Sequence, residues 1–124
     1  MLRIAYIEDT RRPERNAAFK KIVSELVFDG TVEFCESSDA QVIASLMADG
    51  VICHSGMDGY PVVKHYAKKN DWALLAYSGS VESTPHLRQN SNGSPMFSVD
   101  SKYFEDVLPD FIVRCEQYKR ESKR

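Results

Sequence analysis

Two acids stand side by side at Glu8-Asp9, directly after an apolar run, and a lone imidazole, His54, follows a second such run. Carboxylates in that setting suit Mg²⁺, a hard cation that one or two carboxylates plus water can satisfy. They equally suit a plainer role, one acid capping the helix that follows and the other solvated. With His54 beside them they would offer a His–carboxylate set to Zn²⁺ or Mn²⁺, although a closed site wants more ligands than these. Hydrogen-bonded to the acids instead, the imidazole would fill with partial positive charge the place a metal would take. Ser78-Gly79-Ser80 can present a hydroxyl and backbone N–H groups to an anion as a small nest, or simply cap a turn. His65 and His86 have no partner spacing and suit surface or satisfied polar positions, and Asp58-Gly59 suits a turn. Cys35, Cys53 and Cys115 are odd in number, far apart and without a C-x-x-C pair. Reduced, buried thiols are therefore expected, with Cys53 inert.

The elements that must position these groups follow from periodicity. Leu2 to Ile7 is a β-branched and aromatic run that stops at the acids, the pattern of a buried strand delivering charge to its C-terminal end. Pro13 suits a first helical position, and Phe19, Ile22, Val23 and Leu26 recur at helical steps before Asp29-Gly30. Thr31 to Cys35 alternates like a half-buried edge strand. Ser38 or Asp39 can cap a second helix with the apolar face Val42, Ile43, Leu46 and Met47, which Gly50 is placed to end. Val51 to Cys53 is a brief strand, and Pro61, Val62, Val63, Tyr66 and Ala67 mark a third helix. Trp72 to Tyr77 is nearly all apolar, as a central parallel strand covered on both faces should be. From Ser78 to Pro95 only Val81 and Leu87 are large aliphatic residues, so any helix there is short and weakly amphipathic. Met96 to Val99 is a last strand, and Asp100 or Ser101 can cap a helix running from Tyr103 through Cys115, kinked or divided at Pro109. Strands alternating with helices predict a doubly wound α/β sandwich with a parallel sheet. In such sheets functional groups gather beyond the C-terminal strand ends.

Composition agrees. A chain of 124 residues, 43% hydrophobic and 27% charged, has the make-up of one globular domain, and excludes collagen-like, disordered and disulfide-scaffold classes. No apolar run is long enough to span a bilayer, and the N-terminal one ends too early for a signal peptide, so a cytoplasmic protein is expected. The net charge of −2 recruits neither nucleic acid nor membrane.

With these features in place the sequence resembles the receiver domain of two-component response regulators. The matching features are the strand ending in Glu8-Asp9, the Met-Asp-Gly turn within Gly56-Met57-Asp58-Gly59-Tyr60, and a fourth strand ending in a hydroxyl and a small residue, Ser78-Gly79. The resemblance covers residues 1–118, leaving 119–124 as a basic C-terminal tail. It implies a flavodoxin-like three-layer sandwich with a five-stranded parallel sheet in the order 2-1-3-4-5. Flavodoxins themselves fit less well, because the loop Asp9-Thr10-Arg11-Arg12-Pro13 is poor in the residues that wrap a flavin phosphate.

Two parts of the family's chemistry are missing. The phosphorylated Asp belongs at the end of strand three, where Val51-Ile52-Cys53-His54-Ser55 holds no carboxylate and His54 takes its place; the loop from there to Met57 is also short. The Lys that ends strand five is matched by Ser98-Val99. The Asp serves as nucleophile and metal ligand, the acidic pair holds Mg²⁺, and the Lys and hydroxyl bind phosphoryl oxygens, so ordinary phosphoacceptance should fail. The resemblance leaves a degenerate pocket of Glu8, Asp9, His54, Ser78, Gly79 and Ser98.

The expectation is a stand-alone, atypical receiver-like protein, a pseudo-receiver acting as a protein–protein interaction module in phosphorelay signal transduction. Its partner would be another signalling protein, or a second copy in a homodimer. No cofactor is required, Mg²⁺ at Glu8 and Asp9 being the one metal the family suggests. By analogy the interaction face would include Met96, Phe97, Tyr103 and Phe104, although the last two suit the core better. The alternative is a small metal-dependent phosphoryl-handling enzyme using Glu8, Asp9, His54 and Ser78, which would need a nucleophile or activated water that no spacing reveals. Nucleic-acid binding through the tail, Lys119 to Arg124, is weaker still, for it lacks interleaved aromatics and a reading helix.

Overall fold

A computed structural model describes residues 2–9, 11–27, 30–36, 39–79, 88–89 and 95–122. Strands β1 (Leu2–Ile7), β2 (Gly30–Cys35), β3 (Gly50–His54), β4 (Ala73–Ser78), β5 (Arg88–Gln89) and β6 (Met96–Asp100) form one sheet in the order β2-β1-β3-β4-β6-β5. All pairs are parallel except β5 with β6. The five parallel strands, taken in chain order, therefore run 2-1-3-4-5, the flavodoxin-like arrangement. The short antiparallel edge strand β5 was not legible, lying in the polar stretch where a weak helix was expected; the rest of that stretch, 80–87 and 90–94, falls outside the described residues.

Helices α1 (Pro13–Leu26) and α4 (Phe104–Ser122) cover one face of the sheet, and α2 (Ala40–Ala44) and α3 (Tyr60–Lys69) the other. Each face carries its own core. Tyr6, Tyr77, Phe97, Phe104, Leu108 and Phe111 dominate the first, and Ile7, Ile43, Val51, Val63 and Leu74 the second. β4 is buried along its whole length, as a strand covered on both sides must be, whereas β2 alternates in exposure at the edge. The face residues of α4 hold it together across Pro109, so it is one continuous helix and not two pieces. A turn of 3₁₀ helix (Ser101–Tyr103), capped by the Asp100 carboxylate accepting from the Lys102 N–H at 3.0 Å, leads into it.

Two expectations need correction. α2 is capped by Asp39, whose side chain accepts from the Gln41 N–H, but it ends at Ala44 and does not run to Gly50. The Ser45 hydroxyl turns back to the Val42 carbonyl at 2.8 Å, competing with helix continuation, and of the expected face only Ile43 and Leu46 are buried while Met47 is 70% exposed. Second, Met96, Phe97 and Phe104 lie in the core and Tyr103 is half-buried, so the residues assigned to an interaction face present almost no surface.

Two glycines are required by close approach. A side chain at Gly30 would collide with the Leu2 carbonyl oxygen on the paired strand, and one at Gly50 would stand 2.7 Å from Cys115 Sγ and 3.0 Å from Ile4 Cδ1. No helix among the described residues is long and apolar enough to cross a membrane.

Candidate functional site

The strand order reverses at β1, between β2 and β3, and the crevice beyond the C-terminal ends of β1 and β3 is where such a sheet offers a site. The acids follow β1 directly. The Glu8 N–H donates to the Cys35 carbonyl at 2.8 Å, continuing the pairing with β2, and its side chain takes the Lys20 ammonium of α1 at 3.2 Å. Its second oxygen, Oε2, is buried and makes no hydrogen bond.

Asp9 is 3% exposed and turns to other partners. Its Oδ1 accepts from the Arg11 N–H at 3.1 Å and from Arg11 Nε at 3.0 Å, and its Oδ2 accepts from Arg11 Nη2 at 3.0 Å. The same Nη2 donates to the Gly56 carbonyl at 2.9 Å, so one guanidinium ties the loop after β1 to the loop after β3. The Arg11 hydrogen bond holds the Asp9 carboxyl below its ordinary range, outweighing burial, which opposes it.

Behind this pair stands Asn16, buried on the first turn of α1. Its Nδ2 donates to the Asp9 carbonyl at 2.7 Å, and its Oδ1 accepts from the Asp9 N–H and from the Tyr6 hydroxyl, each at 3.4 Å. Pro13 at the first position starts α1 with no side-chain cap, and the Asn16 clasp docks that uncapped end onto β1.

His54 ends β3, with Nδ1 3.3 Å from Asp9 Oδ2. The Gly56 N–H lies 3.2 Å from the same Nδ1, so a donor and the acceptor carboxylate of Asp9 compete for one ring nitrogen. Burial pushes the His54 pKa down; Asp9 pulls it up, while Arg15, Arg11 and Arg12 reinforce the fall. A side chain at Gly56 would lie 2.8 Å from the imidazole Cε1, so a larger residue in this turn would have to displace the His54 ring. The ring packs at 5.3 Å from that of Tyr77.

Asp9, Arg11, Gly56 and His54 thus close a ring of contacts across the crevice. Ser78, buried at the end of β4, is level with Asp100 of β6, and Gly79 beyond it is exposed with open space where a side chain would be. Ser98 is opposite Ala76, one pleat short of the strand ends, so Asp100 and not Ser98 stands at the end of β6. Arg11, Asn16 and the Tyr6–Tyr77 pair were not singled out from the sequence. An Arg two residues after a buried acid was the available signal for the first; the others depend on elements meeting in space.

The residues present do not fit Mg²⁺. Both Asp9 oxygens are taken by a guanidinium, Glu8 is engaged by Lys20, and the end of β3 offers an imidazole where a hard cation wants oxygen. No three His, Cys, Asp or Glu side chains among the described residues gather to hold a metal, which also leaves the Zn²⁺ or Mn²⁺ set incomplete.

Neither family models, nor curated proteins, nor solved structures yield a match to this chain.

Proposed function

We propose that the chain is an atypical receiver-like domain, a protein–protein interaction module of signal transduction that ordinary aspartyl phosphorylation does not switch. The observation that carries the reading is His54. At the end of the central strand β3, beside the buried acid of β1, stands an imidazole whose Nδ1 already meets Asp9 and the Gly56 N–H. An acyl phosphate needs a carboxylate there, and this position holds none. The fold and the acidic pair support the resemblance to receivers, while the imidazole and Asp100, at the end of β6 where the family has a Lys, support its departure from phosphorelay chemistry. The partner is then another signalling protein, met by surface other than the buried Met96, Phe97 and Phe104.

The test is an amide NMR titration with Mg²⁺ followed by beryllofluoride, a phosphoryl analogue. The expected result is silence at Glu8, Asp9, His54 and Ser78 after the analogue. Shifts there that spread to β6 would overturn the reading, because they would mean that a phosphoryl switch survives.

A further inference from the structure

Because α2 stops at Ala44, Val42 and Met47 are 38% and 70% exposed, two of the three large hydrophobic side chains that stand in solvent among the described residues. No charged residue occurs from 40 to 48, and Asp39 just before is engaged in the cap of α2. α2 packs against α3, and the half-buried Val62 and Tyr66 of α3 rest on the same core as Ile43 and Leu46. The outer sides of the two helices therefore adjoin, with an apolar half on α2 and its following turn and a charged half on α3.

That charge has one sign. α3 holds Lys64, Lys68 and Lys69 and no acid, and none of the three pairs with an acid among the described residues. The Lys69 ammonium stands 5.7 Å from the centre of the Tyr66 ring, and the His65 ring meets the same ring edge-on at 5.0 Å. The helix dipole accounts for lysines at a C-terminus, but not for an uncharged, exposed Val42 and Met47 alongside. Methionine, unbranched and adaptable, and tyrosine, large and rigid, are residues of binding surfaces. A nucleic acid would use the lysines and leave Val42 and Met47 without a role. A lipid surface asks for an amphipathic helix with Trp, Phe or Leu on its apolar side, and the five residues of α2 include none.

Charge complementarity selects a protein partner by sign. We propose that the α2–α3 face docks an acidic amphipathic segment of the partner protein, with apolar side chains on Val42, Met47 and Tyr66 and carboxylates on Lys68 and Lys69. The proposal rests on the reading of the chain as an interaction module and deepens it by naming the surface and the chemistry of what it meets. The contact lies on the face of the sheet opposite α4.

The test titrates a synthetic amphipathic peptide of leucine and glutamate into the full chain, with a leucine–lysine peptide of the same pattern as control, and reads amide NMR shifts. The acidic peptide should give saturable shifts confined to residues 42–48 and 62–69, weaker in high salt, and the basic one none. Met47→Ser, and separately Lys68→Glu with Lys69→Glu, should each weaken binding roughly tenfold, the loss of an anchor. All three positions are exposed, so both variants should keep the wild-type melting temperature; where one does not, the other carries the comparison. No saturable shift, equal binding of the basic peptide, or variants that bind as wild type does would overturn the proposal. So would the same shifts produced by vesicles of anionic lipid, which would make the face a membrane surface, or by raising the protein concentration alone, which would make the occupant a second copy. A beryllofluoride response with peptide docking intact overturns the functional reading alone, and silence to both ligands overturns this proposal alone.

Discussion

The hydroxyls of Tyr6 and Tyr77 meet at 2.8 Å on one face of the sheet, although β3 separates the two strands that carry them. Burial raises both phenols, Tyr77 to about 12 and Tyr6 further. Their unfolded-state value is near 10, so between there and the folded values the native chain holds more protons than the unfolded one. Stability should be unaffected by these groups below pH 10 and should fall as pH rises above it, as urea unfolding at stepped alkaline pH would register. The single Tyr77→Phe change should cost about 1 kcal/mol by leaving the Tyr6 hydroxyl with only its long bond to Asn16, and the double variant with Tyr6→Phe less than twice that.

Acid should act through His54 first. Burial, with the nearby arginines, holds its pKa below the ordinary 6.5, so the unfolded chain binds a proton that the folded one resists. Stability is then full above 6.5 and declines as pH drops below it. A second decline should begin below the ordinary Asp9 value of 3.8, where the Arg11-held carboxylate protonates more readily in the unfolded chain. Thermal melts from pH 7 to 3 should resolve the two, and His54→Gln should remove the upper one.

Asn16 is a costly polar residue to lose, for it is buried and bonds the Asp9 backbone from both its amide atoms. Asn16→Leu leaves the Asp9 carbonyl and N–H without their side-chain partner inside the fold, a penalty of about 1–3 kcal/mol. Asn16→Asp should also destabilise, because it replaces the amide donor with a charge facing a carbonyl. Chemical denaturation of both variants measures the effect.

At the opposite end of the sheet, Asp49 Oδ2 accepts from the Arg3 N–H at 2.8 Å and from Lys119 Nζ at 3.1 Å. Lys119→Ala should cost at most about 1 kcal/mol, and less in high salt, as a partly exposed ion pair does. Asp49→Ala should cost more, since it also strips the Arg3 N–H of its acceptor, and Asp49→Asn should fall between them.

Burial pushes the thiols of Cys53 and Cys115 up, and Cys35 is also buried. Ellman's reagent should therefore find no fast-reacting thiol in the native chain and three after denaturation.

The sheet was legible because its signals are local. Leu2 to Ile7 and the all-apolar stretch ending at Tyr77 carry their burial in their composition, and Pro13 marks the start of α1 where the chain begins it. α2 was overextended because Val42 and Met47 satisfy a helical period, while the Ser45 back-bond that ends the helix leaves no trace in it. The site was half legible. Glu8, Asp9 and His54 follow from strand ends, but the span of Arg11 to Gly56, 45 positions further on, depends on how two loops face each other. Length and rotamer of a flexible side chain decide that, and spacing does not encode them.

The Asp49 junction has one more consequence. Because it joins the start of β1 to the last turns of α4, the first and last described elements meet at the N-terminal edge of the sheet, opposite the strand end that carries His54. A bulky label attached at Arg3 or Lys119 would therefore leave the crevice uncovered.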